Sequence, residues 1–419
     1  MADPVVIVGA GMAGLRAAEQ LRAAGWEGPV TVIGEETHAP YNRPPLSKEA
    51  LAGAADKPLH EVHASLAFRQ RASVADVTWR LGTRVTGCDM DSRTVTLADE
   101  TVLDYGGLVI ATGLRPRRLR LSGPTVGRSA LRTLDDAYAL APRLRAGARV
   151  VVIGGGFIGC EIAATAIGLG CAVTVVEPAP APLATALGPE VGAAVQAFHE
   201  RRGITFCTER KVVALTGDEA VSGVVLDDDS VLEADVVVEA VGSEPNVEWL
   251  AGNELDLSDG VLCDAQLRVV GRSDVVAVGD VARYPNLRFD DVPRRVEHWC
   301  TPTDTAKQAA RTLVAQLRGT PATGACTAMP SFWSDQHGLR IQGFGLPRLA
   351  DDVRVVTGDL DRVEDGVIVH YHRGERLVAA LLVGIPASQH RAHRDLVEAA
   401  NPLPTDDKLQ TSVLKGVPA

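Results

Sequence analysis

The stretch "VVIGGGFIGCEIA" at residues 151–163 brings a glycine fingerprint, a cysteine and a glutamate into thirteen positions. A similar stretch, "VVIVGAGMAGLRA", occupies residues 5–17. In both stretches an apolar strand pattern runs into three glycines spaced G-x-G-x-x-G, and the pattern of an amphipathic helix follows. Because the motif occurs twice, each time between a strand and a helix, the sequence predicts two dinucleotide-binding folds in one chain.

The first copy is a predicted strand–helix–strand unit in which each glycine has its own physical role. Gly9 allows the tight turn, Gly11 lets the backbone approach a pyrophosphate, and Gly14 lets the helix pack closely on the strand. The pyrophosphate then lies at the helix N-terminus, where free N–H groups and the helix dipole favour an anion. Glu35 follows the second strand, at the position where an acidic residue binds a ribose.

The second copy repeats this order with Gly154, Gly156 and Gly159, and Glu177 follows its second strand. An acidic residue there suits the free 2′-hydroxyl of NAD, whereas a 2′-phosphate requires a nearby arginine. No arginine occurs in "EPAPAPLATALGPE", residues 177–190, so NADH is the predicted nicotinamide. The economical interpretation of two such folds is a tightly held FAD in the first and an exchanging NADH in the second.

A third apolar strand with a glycine turn, "DVVAVGDVARY" at residues 274–284, lies beyond the second copy and indicates that the first domain is discontinuous. The predicted fold class is α/β, with two Rossmann-like domains and a small C-terminal α+β domain built on a hairpin and a helix. The predicted division is 1–113 and 243–320 for the FAD-binding domain, 114–242 for the NAD-binding domain, 326–405 for the C-terminal domain and 406–419 for a tail.

Composition restricts the classes of function. The net charge of −11 argues against a broad nucleic-acid surface, because binding phosphates takes clustered basic residues. The seven cysteines contain no C-x-x-C pair, so neither a zinc site nor a close-spaced redox disulfide is expected. The N-terminus has no signal-peptide pattern and no apolar run is long enough to span a membrane. We therefore expect a cytoplasmic protein without a metal site.

Six further motifs occur in order along the chain: "YNRPPLSK" at 41–48, "LVIATGLRPR" at 108–117, "LRTLDDA" at 131–137, "AVGDVAR" at 277–283, "EHW" at 297–299 and "FWSDQ" at 332–336. Together they resemble the flavin-dependent ferredoxin reductases that supply electrons to Rieske oxygenases and haem-thiolate monooxygenases. The resemblance covers nearly the whole chain up to about residue 400.

The resemblance extends the two glycine fingerprints to a full set of expected cofactor-binding residues. These are Gly9, Gly11, Ala13, Gly14, Glu35, Arg43, Lys48, Val85, Ala111, Thr112, Gly113, Arg132, Gly154, Gly156, Phe157, Ile158, Gly159, Glu161, Glu177, Gly242, Gly279, Asp280, Glu297, His298, Trp299 and Trp333. Within this set, Trp299 and Trp333 are expected near the flavin ring.

The resemblance also implies the reaction. NADH would pass a hydride to bound FAD, and single electrons would then go to a 2Fe-2S ferredoxin that supplies an oxygenase. Glu161, expected in the first turn of the second nucleotide helix, would pair with Lys48 beside the flavin N5 and position the nicotinamide for transfer. Arg294 and Arg295 are basic residues next to the predicted flavin contact Trp299, and we expect them to dock the ferredoxin.

Two other functions stay open at this point. The first is an NADH oxidase, peroxidase or disulfide reductase with a single active cysteine, although the loop "HAPYNRPPLSK" at residues 38–48 contains none. Cys300 is the one cysteine that this alternative would use, and Cys160 is interpreted as a packing residue. The second is a redox-state sensor that resembles apoptosis-inducing factor and signals through conformation, which slow hydride transfer would favour.

Overall fold

The computed structural model of the protein describes residues 3–403, and the predicted tail at 406–419 lies outside the described residues. Its α-helices are α1 (Met12–Ala23), α2 (Glu49–Gly53), α3 (Leu59–Leu66), α4 (Leu134–Leu140), α5 (Phe157–Gly168), α6 (Ala184–Leu187), α7 (Pro189–Glu200), α8 (Thr301–Leu317) and α9 (Ala387–Ala400). Short 3-10 turns include Pro44–Ser47 and Gly279–Val281.

The strands are short and numerous. They are β1 (Val5–Val8), β2 (Val30–Ile33), β3 (Thr78–Arg80), β4 (Val85–Asp89), β5 (Thr94–Leu97), β6 (Val102–Asp104), β7 (Gly107–Ile110), β8 (Leu114–Pro116), β9 (Arg128–Ser129), β10 (Arg149–Ile153), β11 (Ala172–Glu177), β12 (Thr205–Thr208), β13 (Val212–Thr216), β14 (Gly223–Leu226), β15 (Val231–Glu233), β16 (Val236–Glu239), β17 (Ser243–Pro245), β18 (Val261–Leu262), β19 (Val275–Ala277), β20 (Ala282–Pro285), β21 (Pro293–Arg294), β22 (Ser331–Gln336), β23 (Leu339–Gly345), β24 (Asp352–Thr357), β25 (Val367–Arg373) and β26 (Arg376–Val383).

The first glycine fingerprint opens a parallel sheet with the strand order β19-β7-β1-β2-β3. All four residues of β1 are buried, as expected for a strand with neighbours on both sides and helices on both faces. The last strand of this sheet, β19, comes from beyond the second fingerprint and pairs in parallel with β7. The chain therefore leaves this sheet after β7 and returns to it more than a hundred residues later.

The second fingerprint opens a second parallel sheet, with the order β12-β11-β10-β16-β9. The two parallel sheets are joined by an antiparallel ribbon of β8 and β17, which pairs Leu114 with Pro245. Each strand of the ribbon directly follows a glycine turn, at Gly113 and Gly242, and both glycines have positive φ. The two segments by which the chain passes between the parallel sheets therefore lie side by side.

The last part of the chain forms an antiparallel sheet, β22-β23-β26-β25-β24, and α9 packs on β26 and β23. One hydrophobic core joins this sheet to the second nucleotide unit, since Phe198 and Val195 of α7 pack with Leu381 and Val383 of β26. Residues 318–330, which precede the sheet, contain no helix or strand. The C-terminal sheet therefore rests on the helices of the second unit.

In the part of the chain that the structure describes, no helix is long and apolar enough to cross a membrane. Residues 3–403 likewise contain no cluster of three His, Cys, Asp or Glu side chains that could hold a metal ion. All seven cysteines fall within this range and all are free thiols.

Candidate active site

A cleft of about 1730 Å³ is lined by the first fingerprint, the start of α5, the loops after β7 and β19, and β22. Most residues expected at the cofactors line it. Those that line it are Gly9, Gly11, Ala13, Glu35, Arg43, Lys48, Val85, Ala111, Thr112, Gly113, Arg132, Gly156, Phe157, Ile158, Glu161, Gly242, Asp280, Glu297, His298, Trp299 and Trp333. Those that do not are Gly14, Gly154, Gly159, Glu177 and Gly279.

The glycines of the first fingerprint divide between packing and exposure to the cleft. Gly9 has a φ of +115°, and a Cβ there would overlap the carbonyl oxygen of Ala111. A Cβ on Gly14 would overlap the carbonyl of Gly9, so this glycine brings α1 against β1. At Gly11 the nearest atom to a Cβ would be an Arg43 nitrogen at 3.9 Å, which leaves the backbone open to the cleft.

The second fingerprint has the same geometry. A Cβ on Gly154 would meet the carbonyl of Ala240, a Cβ on Gly159 would meet the carbonyl of Gly154, and Gly156 has open space. Neither α1 nor α5 has a side-chain cap or an acidic residue in its first turn, so the N–H groups that point out of each helix are free. Each helix N-terminus therefore fits the pyrophosphate of a dinucleotide.

Each parallel sheet carries its acidic residue at the end of the second strand of its fingerprint unit: Glu35 follows β2, and Glu177 is the last residue of β11. The Glu35 side chain is largely exposed, with an oxygen 3.9 Å from Nε of Arg84. Glu177 accepts hydrogen bonds from the backbone N–H groups of Gly155 at 2.6 Å and Ala179 at 2.8 Å. Its carboxylate is thus fixed beside the second fingerprint although it lies outside the large cleft.

Arg43 is held by two residues that sequence reasoning missed, Glu36 and Tyr41. Its guanidinium donates to Glu36 at 2.5 Å and to the Arg132 carbonyl at 2.7 Å, and the Tyr41 hydroxyl donates to Glu36 at 2.5 Å. Burial alone would favour the neutral acid, but the charge of Arg43 and the Tyr41 hydrogen bond hold the pKa of Glu36 below its ordinary value. Glu36 and Tyr41 lie shortly before "RPPLSK" in the sequence, and this closeness to Arg43 is the signal that could have identified them.

Asp280 and Arg132 both line the cleft, and Nη2 of Arg132 lies 3.5 Å from Oδ2 of Asp280. Burial raises the pKa of Asp280, although Arg132 acts against that change. Burial and the nearby Arg43 lower the pKa of Arg132. The two side chains therefore bring an acceptor and a donor to the cleft, the kinds of group that orient the hydroxyl and carbonyl groups of a bound cofactor.

Glu161 and Lys48 meet at the junction of the two nucleotide units. Nζ of Lys48 lies 2.6 Å from Oε2 of Glu161, and Ser47 donates to the same oxygen at 2.5 Å. Because α5 begins at Phe157, Glu161 is its fifth residue and lies beyond the first turn. The prediction that Glu161 lies in the first turn of this helix is therefore wrong. Ser47 was not predicted, although its place next to Lys48 in "PPLSK" was visible.

Aromatic side chains line the outer part of the cleft. Trp299 and Trp333 stack edge to face with ring centroids 5.5 Å apart, and Trp299 donates to Asn42 at 2.8 Å. Trp299 is 39% exposed, which puts an aromatic surface at the mouth of the cleft. Behind them, burial lowers the pKa of His298 to about 4, so this imidazole is neutral at neutral pH.

The two arginines expected to dock a ferredoxin already have acidic neighbours within the chain. Arg294 donates to Asp290 at 2.5 and 3.0 Å. Arg295 donates to Asp259 at 2.7 Å, to Glu297 at 2.8 Å and to the Asp280 carbonyl at 3.3 Å. The side chain of Arg294 is 33% exposed and that of Arg295 only 11%. Docking by this pair stays a prediction, and Arg294 is the more accessible of the two.

None of the cysteines in residues 3–403 lines the cleft. Cys160 is fully buried and its thiol lies 3.5 Å from the Gly155 carbonyl oxygen, within donating distance. Burial raises its pKa, so the reactive thiolate is suppressed. Cys300 lies 3.5 Å from the Ser331 carbonyl and does not line the cleft.

Comparison with known proteins agrees with this architecture. Residues 3–306 match the family model described as pyridine nucleotide-disulphide oxidoreductase, and residues 331–414 match the reductase C-terminal model. The chain is 37% identical over 416 residues to the ferredoxin–NAD(+) reductase component of the anthranilate 1,2-dioxygenase system of Burkholderia cepacia, covering 96% of each chain. It is 35% identical to putidaredoxin reductase of Pseudomonas putida, over 94% of this chain and 92% of that protein.

Solved structures give the same result. The reductase in the covalent putidaredoxin reductase–putidaredoxin complex superposes with a TM-score of 0.85 at 32% identity, covering 99% of both chains. A ferredoxin reductase from Rhodopseudomonas palustris also has a TM-score of 0.85, at 34% identity and 97% coverage of both. The resemblance and the α/β fold class predicted from the sequence are thereby confirmed. The chain belongs to the pyridine nucleotide-disulphide oxidoreductase family.

Proposed function

We propose that this protein is an FAD-containing, NADH-dependent ferredoxin reductase. One observation carries the proposal: the start of the second nucleotide helix, with Phe157, Ile158 and Glu161, lines the same cleft as Gly11 and Asp280 of the first unit. Two dinucleotides bound at the two fingerprints would therefore meet in one cleft. FAD and NADH are the cofactors that this family and its ferredoxin–NAD(+) reductases use.

The residues that would hold the cofactors follow from the geometry. The N-termini of α1 and α5 would bind the two pyrophosphates, and Glu35 and Glu177 the riboses. Arg43, Arg132 and Asp280 offer the cleft both charged donors and an acceptor. When bound, FAD accepts a hydride from NADH and releases electrons singly, which suits an iron–sulfur acceptor.

The contribution of the protein to this chemistry is positioning. Lys48 is anchored by Glu161 and by the Pro44 carbonyl, which lies 3.1 Å from Nζ. The two prolines before Ser47 restrict the loop that carries Lys48. We assign to Lys48 and Glu161 the role of orienting the nicotinamide ring against the ring that receives the hydride.

The acceptor follows from the relatives. The anthranilate dioxygenase reductase and putidaredoxin reductase are named as reductases of ferredoxins, and this chain covers almost their whole length. A 2Fe-2S ferredoxin that supplies a Rieske oxygenase or a haem-thiolate monooxygenase is therefore the acceptor assigned here. Two rubredoxin–NAD(+) reductases, at 33% and 32% identity, make rubredoxin the second acceptor to test.

The domain division and the location are part of the same proposal. The first sheet, including the returning β19, would be the FAD-binding domain, the second sheet the NAD-binding domain and the antiparallel sheet the C-terminal domain. The boundaries stay those drawn from the sequence. Seven free cysteines favour a reducing compartment, and we assign the protein to the cytoplasm.

The decisive experiment measures acceptor dependence. The purified protein should show flavin absorbance, and NADH should reduce cytochrome c rapidly only when a 2Fe-2S ferredoxin is added. A rubredoxin in place of the ferredoxin separates the two acceptors. Rapid NADH oxidation without any protein acceptor would favour an oxidase, and a long-lived reduced flavin–NAD complex that passes on no electrons would favour a redox sensor.

The thiol alternative has its own test. No cysteine in residues 3–403 lines the cleft, and Cys300 is the nearest in sequence to a predicted flavin contact. Cys300→Ser should therefore leave ferredoxin reduction by NADH within about twofold of the wild-type rate. A loss of turnover with retained FAD would favour an active thiol instead.

A further inference from the structure

The second oxygen of the Glu161 carboxylate is bound by the C-terminal sheet. Ser334 of β22 donates to Oε1 of Glu161 at 2.5 Å, while Lys48 and Ser47 occupy Oε2. Ser334 is itself fully buried. Its hydroxyl therefore has no access to water and is committed to this carboxylate.

A line of buried polar groups continues behind Ser334. Nε2 of Gln336 donates to the Ser334 hydroxyl oxygen at 2.9 Å, and Oε1 of Gln336 lies 2.7 Å from Nε2 of His199. Gln336 and His199 are fully buried. The line joins α5, β22 and α7, which come from distant parts of the chain.

The direction of every hydrogen bond in this line is fixed by donor and acceptor chemistry. A carboxylate only accepts, so Ser334 must donate to Glu161 and can accept only from the amide nitrogen of Gln336. The Gln336 oxygen then faces His199, whose Nε2 must carry the proton. All the donors therefore point towards Glu161.

His199 ends the line as a neutral side chain. Burial lowers its pKa to about 4, and the neighbouring His337 and Arg202 also disfavour a positive charge, although the Gln336 hydrogen bond opposes them. Its Nδ1 is buried without a hydrogen-bond partner among the described residues. A neutral imidazole with its proton on Nε2 satisfies this environment.

This arrangement fixes the orientation of the Glu161 carboxylate. The groups that face it are Ser47 and Lys48 from the "PPLSK" loop and Ser334 from β22, and all three donate. Rotation of the carboxylate away from β22 would leave the buried Ser334 hydroxyl without an acceptor, because Gln336 presents its amide nitrogen to that oxygen. The line therefore holds Oε2 of Glu161 towards Lys48.

We propose that Ser334, supported by Gln336 and His199, is a positioning residue that keeps the Glu161 carboxylate aimed at Lys48. The C-terminal sheet would thus control the residue pair at the meeting point of the two nucleotides, in addition to lining the cleft. The inference rests on the proposed function, because it takes the Lys48–Glu161 pair to orient the nicotinamide.

The first test is the rate of flavin reduction by NADH, followed by stopped-flow absorbance in Ser334→Ala and Ser334→Thr. Loss of the Ser334 donor should lower the limiting rate about threefold to tenfold, because the Glu161 carboxylate is no longer held towards Lys48, and Ser334→Thr, which keeps the hydroxyl, should retain most of the wild-type rate. Ser331→Ala is the matched control, since Ser331 lies on the same strand and its hydroxyl is directed at Cys300. Its rate should equal that of the wild type.

Gln336→Met provides a second variant in case Ser334→Ala folds poorly. It removes the donor to Ser334 and keeps a side chain of similar length, so its rate of flavin reduction should fall in the same direction by a smaller amount. Rates for Ser334→Ala and Gln336→Met equal to that of Ser331→Ala would overturn the proposal.

The second test does not depend on turnover. In the resting full-length protein labelled with ¹⁵N-histidine, the His199 signals, identified by their loss in His199→Gln, should show a neutral ring protonated on Nε2 down to about pH 5. Ser334→Ala should shift the His199 Nε2 resonance, and Ser331→Ala should not. A charged His199 at neutral pH, or the opposite tautomer, would contradict the proposed line.

The two tests separate this inference from the proposed function. If NADH fails to reduce the flavin of the wild-type protein, the proposed function is wrong, and the NMR result alone decides whether Ser334 and His199 are connected. If the flavin of Glu161→Gln is reduced at the wild-type rate, both the role of the pair and the positioning role of Ser334 are wrong.

Discussion

Cys160 and Glu161 are neighbours in α5 and face opposite surroundings. Successive residues of a helix point about 100° apart, so one side chain can enter a core while the next reaches a cleft. Cys160 packs with Leu187 and Val195 in the core shared with the C-terminal sheet, whereas Glu161 reaches Lys48. The thiol is thus interpreted as a packing group and the carboxylate as a working one.

Substitution of these two neighbours tests that division at the residue scale. Glu161→Gln should slow flavin reduction by NADH roughly tenfold to a hundredfold, because an amide cannot hold the Lys48 ammonium as a carboxylate does. Cys160→Ala is the matched control and should leave the rate near wild type. Equal rates for all three proteins in single-turnover stopped-flow measurements would contradict the assigned role of Glu161.

At the scale of single elements, the turn after β12 brings an arginine close to Glu177, at the proposed NADH site. The backbone N–H of Arg210 donates to the Glu177 carbonyl at 3.3 Å, and its guanidinium donates to Asp228 at 2.8 Å. Arg210 lies outside residues 177–190, the segment that contains no arginine. Its guanidinium is already paired with Asp228, whereas the Glu177 carboxylate contacts the second fingerprint directly, at Gly155.

Glu177→Gln should therefore weaken discrimination between the two nicotinamide cofactors. The KM for NADH should rise roughly tenfold, because a charged acceptor for the ribose hydroxyls is lost, while the KM for NADPH should fall as repulsion of the 2′-phosphate is removed. The amide oxygen can still accept from Gly155, which preserves the turn. Glu190→Gln, an exposed acid on α7, is the control and should change neither constant.

The turn around β21 gives the two adjacent arginines different expected effects. Arg294→Gln should raise the KM for ferredoxin several-fold and flatten its salt dependence, since this side chain is the more exposed. Arg295→Gln should instead loosen the Asp280 turn, because Arg295 donates to the Asp280 carbonyl. The expected sign of that loosening is faster FAD release, measured by flavin fluorescence. An unchanged ferredoxin KM in Arg294→Gln would exclude this residue from docking.

For the whole molecule, the core that joins α7 to the C-terminal sheet makes stability depend on pH through His199. Its folded pKa of about 4 lies below the ordinary value of 6.5, so the unfolded chain binds more protons between these limits. The contribution of the neutral His199 to the free energy of unfolding is present above about pH 6.5 and is lost as the pH drops towards 4. Between about pH 7.5 and 5 the loss from His199 amounts to about 2 kcal/mol.

His199→Gln should remove that part of the pH dependence. Urea unfolding of the full-length protein at about pH 7.5 and pH 5 should show a difference smaller than that of the wild type by about 2 kcal/mol. His60→Gln, which alters an exposed histidine, should keep the wild-type difference. If His199→Gln also keeps it, the buried imidazole is charged in the folded protein and the interpretation is wrong.

The sequence by itself determined the two glycine turns and their acidic residues. These depend on spacing within a few residues, where turn chemistry and strand or helix periodicity leave few alternatives. The helix predicted for the C-terminal domain corresponds to α9, Ala387–Ala400, for the same local reason. The pair Lys48 and Glu161 was implied by the resemblance, because the two residues are far apart in the chain.

Only the tertiary structure decided which distant groups complete the site. Ser334 reaches Glu161 and His199 reaches Gln336 because one core packs the C-terminal sheet on α7, and the salt bridges of Arg295 depend on loops far apart in the chain. The proximity of Arg210 to Glu177 likewise follows from the pairing of β11 with β12. Such contacts depend on how sheets and helices pack, which spacing along a single chain does not encode.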